Sequence, residues 1–324
     1  MKKLFTAAVF LFCLSLAVLA PAADAPDANA VEQTTDLQPH FQAGRKSRYE
    51  IWTLRDNNII LTAAGRSQSA GTRVEVKSEV TWLVEKVKPD GGATCVMTID
   101  WISARYTNAA GETTDNDSRR AAGGNETIHA LVRAMAGVPV RIELAADGSV
   151  LSASGAEVIE RKIGKELDPP NNLDFMESAS DLATIITAPK ESHLKDKWTV
   201  SNTWNHEMGK INVSLEQTLV SVEDIAGIPV ANVTGRGNLS LEPDVTKVFP
   251  KELLNQAGSP KIDIKLKSGS LNTQVMYDLQ RHEAIGRNST QETQIEIRLR
   301  VKDQTLTKSI TDTIQSQTLR IDEN

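Results

Sequence analysis

The side chains of this 324-residue chain that could perform chemistry are scattered rather than grouped. Zinc hydrolysis needs histidines spaced to meet one ion, as on a helix with two imidazoles one turn apart. The five histidines, His40, His129, His193, His206 and His282, stand singly, and His206-Glu207 lacks a second imidazole. Ser192-His193-Leu194-Lys195 has the spacing of serine acyl transferases, in which a lysine one helical turn away accepts the hydroxyl proton. The partner motifs of that chemistry are missing. Asp115-Asn116-Asp117 opens like a calcium loop, but Arg120 takes the place of the turn-making glycine. Glu126, at the twelfth position, follows two arginines instead of oxygen ligands. There is no Gly-x-Ser-x-Gly elbow, phosphate-cradling loop or dinucleotide fingerprint. Carboxylates such as Glu75, Glu79, Asp263 and Glu296 alternate with apolar residues, as on a solvated strand face, so an acid pair would have to converge in the fold. The expectation is therefore no catalytic residue, no metal and no cofactor, with the ligand-binding residues unknown.

Cys13 lies in the apolar leader without a lipoprotein acceptor site before it, and its removal leaves Cys95 alone. A disulfide framework is excluded, and Cys95, in step with Met97 and Ile99, reads as a buried thiol. Trp52, Trp82, Trp101, Trp198 and Trp204 could line a ligand groove, but Trp82 and Trp101 share the apolar parity of their strands and read as core. Asn-x-Ser/Thr triplets at Asn116, Asn125, Asn212, Asn232, Asn238 and Asn288 are ordinary composition in a chain whose leader looks bacterial.

The elements that must position these residues are long strands. In residues 73–104, Val74, Val76, Val80, Trp82 and Val84 alternate with polar neighbours, Pro89-Asp90-Gly91-Gly92 turns, and Cys95, Met97, Ile99 and Trp101 resume the apolar side. This is a hairpin with one wet and one dry face. Before it, residues 41–54 form a first strand, extended by Ile59 to Thr62 across a turn at Asp56-Asn57-Asn58; after it, residues 106–125 have the composition of a surface loop. Asn125 caps a helix striped by Ile128, Leu131, Val132 and Met135 and ended by Gly137, with His129 beside the stripe in a structural role. Val140, Ile142 and Leu144 then turn at Asp147-Gly148, and residues 156–167 and 173–187 read as helical.

From Trp198 the strand pattern returns, with turns at Ile225-Ala226-Gly227, Ser268-Gly269 and Ala284-Ile285-Gly286, and the order of elements suggests a duplicated unit. Residues 305–321 suit strand or helix. The fold class is α+β, mainly β: antiparallel hairpins forming curved sheets, a sandwich or a partial barrel, with a few covering helices. Residues 41–190 make a first lobe, with helices at about 125–136 and 156–187, and residues 191–324 a second.

Met1-Lys2-Lys3, the apolar run from Leu4 to Leu19 and Ala20-Pro21-Ala22 form an export signal, followed by a disordered lead-in over residues 23–40. Cleavage near Ala22 removes two lysines and takes the net charge from −6 to −8, which disfavours nucleic acid; no later stretch is apolar enough to span a membrane. The leader, Val87-Lys88-Pro89-Asp90-Gly91-Gly92, Asp117-Ser118, the helix ending in Gly137, and Asp147-Gly148-Ser149-Val150 followed by Gly155 resemble an exported bacterial family of β-rich proteins known as a domain of unknown function. That resemblance implies a similar fold and carries no catalytic residue. The function expected is an exported, periplasmic or extracellular, non-enzymatic protein binding a partner or an apolar ligand in the envelope. An envelope hydrolase and a structural surface component are the alternatives.

Overall fold

The structure, a computed structural model, describes residues 34–155, 158–159, 189–206, 208–248, 261–301 and 304–321. The expected leader, most of the lead-in and the helices expected over 156–187 lie outside these, apart from residues 158–159. The described chain builds β1 (Lys46–Ala63), β2 (Arg66–Val87), β3 (Ala93–Thr107), β4 (Thr113–Asp117), α1 (Glu126–Met135), β5 (Pro139–Leu144) and β6 (Val150–Ser154). It continues with β7 (Lys197–His206), β8 (Gly209–Ile225), β9 (Ile228–Pro243), the short α2 (Val245–Val248), β10 (Lys261–Asp278), β11 (Glu283–Val301) and β12 (Gln304–Arg320).

One antiparallel sheet runs through both halves in the order β6-β5-β3-β2-β1-β12-β11-β10-β9-β8-β7, with β4 on β3. Apart from the step that passes over β4 and the break between β6 and β7, each strand lies beside the next in the chain, and the first and last strands pair with each other. Tyr49 pairs with Arg320 at one end of that seam and Ala63 with Leu306 at the other. The order is therefore that of an up-and-down barrel left open between β6 and β7, the two strands flanking residues 155–196.

The central hairpin forms as its alternation requires: Val74, Val76, Ser78, Val80, Trp82 and Val84 are all buried on one face. The helix is capped as expected, Asn125 Oδ1 accepting from the Ile128 N–H at 3.0 Å, and packs on β3 and β4 with Leu131, Val132 and Met135 buried. Asp147-Gly148 turns between β5 and β6, Gly148 at φ 85°, and Ala226-Gly227 turns between β8 and β9. Residues 305–321 are settled as strand, because β12 is flanked on both sides by strands whose ladders it completes.

Several turns fall elsewhere than expected, and at two of them a bulge shifts the alternation by one residue just as a turn does. Ser268-Gly269 does not turn; β10 runs through it with a register shift between Leu266 and Ser268, so buried positions pass from Ile264 to Leu271, Thr273 and Val275. Ala284-Ile285-Gly286 lies inside β11, and the turn comes earlier, at residues 279–282, where His282 takes φ 51°. Asp56-Asn57-Asn58 also stays in strand; β1 turns at Ala64-Gly65, with φ 48° and 75°. A bulge at Asp100 rotates Trp101 to the outer face and brings Ile102 and Ala104 inward, correcting the expectation that Trp101 is core. The loop expected over 106–125 contains β4, paired to β3 from Thr113 to Asp117. The lead-in is not disordered to residue 40: Thr35 bridges Ser192, and Leu37 is fully buried among Leu219, Val233, Val275 and Tyr277.

Candidate functional site

Register fixes which side chains share a face, and the inner face of this sheet is apolar across both halves. It carries Met97, Val80 and Tyr49 from the first half, and Ile314, Val275, Val233 and Leu219 from the second. A row of small polar residues crosses it. Thr53 on β1 lies opposite Ser316 on β12, Ser316 opposite Ser289 on β11, Ser289 opposite Thr273 on β10, and Thr273 opposite Gly235 on β9, which faces Gln217 on β8.

The hydroxyls of Thr53, Thr273, Ser289 and Ser316 are buried and meet no hydrogen-bond partner, as is that of Ser78 one step from the row. Leaving such a group unpaired costs about 1–3 kcal/mol, so a row of them is expensive unless something polar meets it. Gly235 belongs to the device: a Cβ there would stand 2.3 Å from Thr273 Oγ1, so glycine leaves room for the hydroxyl. In the second half the row divides the apolar core. Leu219, Val233, Val275 and Tyr277 lie to one side; Ile264, Ile295, Ile297 and Ile310 on one patch and Ile211, Val213, Leu239 and Leu271 on another lie to the other. Beyond these patches the face reaches the strand ends, where Leu61, Val301 and Leu306 are exposed.

The acidic pair that an envelope hydrolase would need does converge, at the seam. Arg320 Nη2 donates to Asp278 Oδ2 at 3.0 Å and its Nη1 to Glu283 Oε1 at 2.8 Å, while Ser47 Oγ donates to Glu283 Oε2 at 2.7 Å. Asp278 is 1% exposed, and its other oxygen accepts the backbone N–H groups of Gln280 and Arg281 at 3.0 Å. Both carboxylates spend their oxygens on a guanidinium, backbone N–H groups and a hydroxyl, so this pair is tied into the closure of the seam. Neighbouring Tyr49 is buried, and its hydroxyl is pushed well above the ordinary phenol range, chiefly by desolvation.

The remaining sequence candidates resolve individually. Cys95 is fully buried, and burial pushes its thiol up to about 12, so it is inert at neutral pH. Ser192 bridges Thr35 and Lys195 lies in a turn, so the two do not share a helix: Lys195 has φ 72°, and Ser192 Oγ donates to the Pro189 carbonyl at 3.4 Å. Asp115 and Asp117 pair with Arg105 and Arg119, each at 2.7 Å, and Asn116 is buried, its Oδ1 accepting from the Asn125 N–H. The Arg119 guanidinium holds the Asp117 carboxyl below the usual carboxylate range. His129 is buried with neither ring nitrogen partnered, beside the shallow depression lined by Gly123, Glu126 and Arg133. Trp52 and Trp101 lie on the outer face, their indole N–H groups donating to Glu75 and Glu79 at 2.7 and 3.2 Å, with Arg119 4.1 Å above Trp101. Trp198 donates to Gln217 at 2.7 Å, and Trp204 and His206 lie on β7.

Sequence separation hid one cluster. The rings of His40 and His282 stack with centroids 3.7 Å apart, and His40 Nε2 lies 3.2 Å from Asp36 Oδ2. Burial, then the adjacent His40, hold the His282 imidazole below its ordinary range.

No protein-family model matches the chain, and no curated protein matches it. Among solved structures it is similar to lipovitellin, from a study titled for its lipid–protein interactions, at 11% identity and TM-score 0.37 over 88% of this chain; this chain spans 26% of that one. It is also similar to a DUF1329 family protein from Desulfovibrio piger, at 8% identity and TM-score 0.15 over 82% of this chain and 85% of that one. A third similarity is to an outer membrane lipoprotein-sorting protein domain from Vibrio parahaemolyticus, at 9% identity and TM-score 0.13 over 81% and 83%.

Proposed function

We propose that this chain is an exported, non-enzymatic protein of the bacterial envelope that binds acyl-chain amphiphiles on the inner face of its open sheet. The observation that carries the reading is the row of buried, unpartnered hydroxyls between apolar patches on that face. An acyl ester or amide has the complementary arrangement: hydrocarbon that gains about 25 cal/mol per Å² when it leaves water, and a carbonyl that accepts hydrogen bonds from hydroxyls. The exposed apolar residues at the strand ends, Leu61, Val301 and Leu306, provide a greasy edge continuous with the inner face. The leader supports delivery to the compartment where such molecules are moved. The commitment of Asp278 and Glu283 to Arg320 weighs against the hydrolase alternative.

The test uses purified, delipidated mature chain and a fluorescent acyl probe. Saturable binding is expected, with displacement by a monoacyl ester lipid stronger than by a hydrocarbon of the same length. Absence of saturable acyl binding, together with no lipid in an organic extract of the freshly purified protein, overturns the proposal.

A further inference from the structure

We infer that Asp36, His40 and His282 form a binding site for a divalent transition ion of the Zn²⁺ type, which staples the segment before β1 to the turn between β10 and β11. The inference is independent of the amphiphile reading. Two imidazoles and a carboxylate are the donor set such ions take in three-residue sites, leaving a position for water. One ligand atom from each of the three residues falls within 4.8 Å of the others. The 3.2 Å between Asp36 Oδ2 and His40 Nε2 is close to the edge of a tetrahedron, about 3.3 Å, set by bonds of about 2.0–2.1 Å.

Neighbouring hydrogen bonds position two of the three ligands, and the stacked rings of His40 and His282 turn apart for both lone pairs to meet one ion. His282 Nδ1 lies 3.2 Å from the Gln38 carbonyl, which takes its N–H and leaves Nε2 with the free lone pair. Asp36 Oδ1 accepts the Gln38 N–H at 2.9 Å, which leaves Oδ2 toward His40. Gln38 therefore positions both a carboxylate and an imidazole. His282 holds a left-handed backbone at φ 51°, a conformation in which histidine is enriched but still uncommon, and that turn presents its ring to His40. His40 is 57% exposed at its side chain, so an ion reaches the site from solvent.

The consequence is mechanical. Leu37 sits between the two ligands of the segment and is fully buried against the second-half core, and Arg45 donates to the Arg281 carbonyl in the same turn. An ion bridging segment and turn would hold Leu37 in place and oppose its withdrawal.

The experiment takes tag-free mature chain, stripped with chelator, and titrates it with Zn²⁺ by calorimetry and with Co²⁺ by visible absorption. One ion per chain is expected, with the intense bands of four-coordinate Co²⁺ and a higher Tm in Zn²⁺. His40→Ala and Asp36→Asn, and His282→Asn, which the left-handed backbone tolerates, are each expected to weaken binding by more than about tenfold. They should also abolish the Tm shift while leaving the circular dichroism of the ion-free chain unchanged. No saturable one-to-one phase, or variants that bind as the unsubstituted chain does, overturns the inference.

Discussion

The two halves of the sheet bury their inner faces differently. In the first half, one apolar cluster runs unbroken from Tyr49 on β1 through Val80, Met97 and Ile142, and α1 lies across it with Leu131, Val132 and Met135. In the second half, three smaller clusters are set apart and a row of hydroxyls passes between them. Both halves are antiparallel and alternate, though β4, β5 and β6 in the first are only 5, 6 and 5 residues long, and pairing alone does not explain the contrast. It lies in what the inward positions carry: mostly valine, isoleucine and methionine in the first half, beside Ser47, Thr53 and Ser78, and Thr273, Ser289, Gln291, Thr293, Asp312 and Ser316 in the middle of the second. A continuous apolar core stabilises a fold; an interrupted one sacrifices stability to place polar groups, and such sites are where function is to be sought.

The seam offers the sharpest way to break this comparison. Arg320→Met leaves Asp278 buried without its counter-charge and Glu283 with Arg281 alone, and a loss of about 3–5 kcal/mol in denaturant unfolding is expected. Adding Asp278→Asn and Glu283→Gln should recover much of it. A single substitution that costs nothing would show that the halves are not held together there.

Core truncation comes next. Ile142→Ala, in the unbroken cluster and fully buried, is expected to cost about 3–4 kcal/mol, and Ile264→Ala, in a small cluster of the divided half, about 2 kcal/mol. Equal costs by the same urea titration would erase the distinction between the two cores.

The smallest effect on stability is expected where the proposed function is most exposed. Thr273→Val and Ser289→Ala remove hydroxyls that have no partner, so stability should stay within about 0.5 kcal/mol or rise. Acyl-ester affinity should fall, while affinity for a plain hydrocarbon does not. Destabilisation without change in ligand preference would return the row to a structural role.

Much of the fold was legible in residue order. Val74 to Val84 and Val140 to Leu144 keep a period of two that has no other reading, and Asn125 before an apolar stripe and Asp147-Gly148 between strands name their own local geometry. Two misplaced turns, at Ser268-Gly269 and Ala284-Ile285-Gly286, and the misread face of Trp101 share a cause: the alternation changes phase, and phase alone does not say whether the chain reverses or bulges; the neighbouring strand decides that. The candidate sites were not legible, because the hydroxyl row is made by register between distant strands and the Asp36, His40 and His282 cluster by contact between segments far apart in sequence.

The sequence by itself determined the long two-faced strands, since alternation and composition are local properties written residue by residue. Tertiary structure alone decided that β1 and β12 close on each other, that Thr53, Ser316, Ser289 and Thr273 stand in one row, and that His282 reaches His40 across the chain. The physical reason is that a strand specifies which of its residues face inward, whereas only its partner's register specifies what they face.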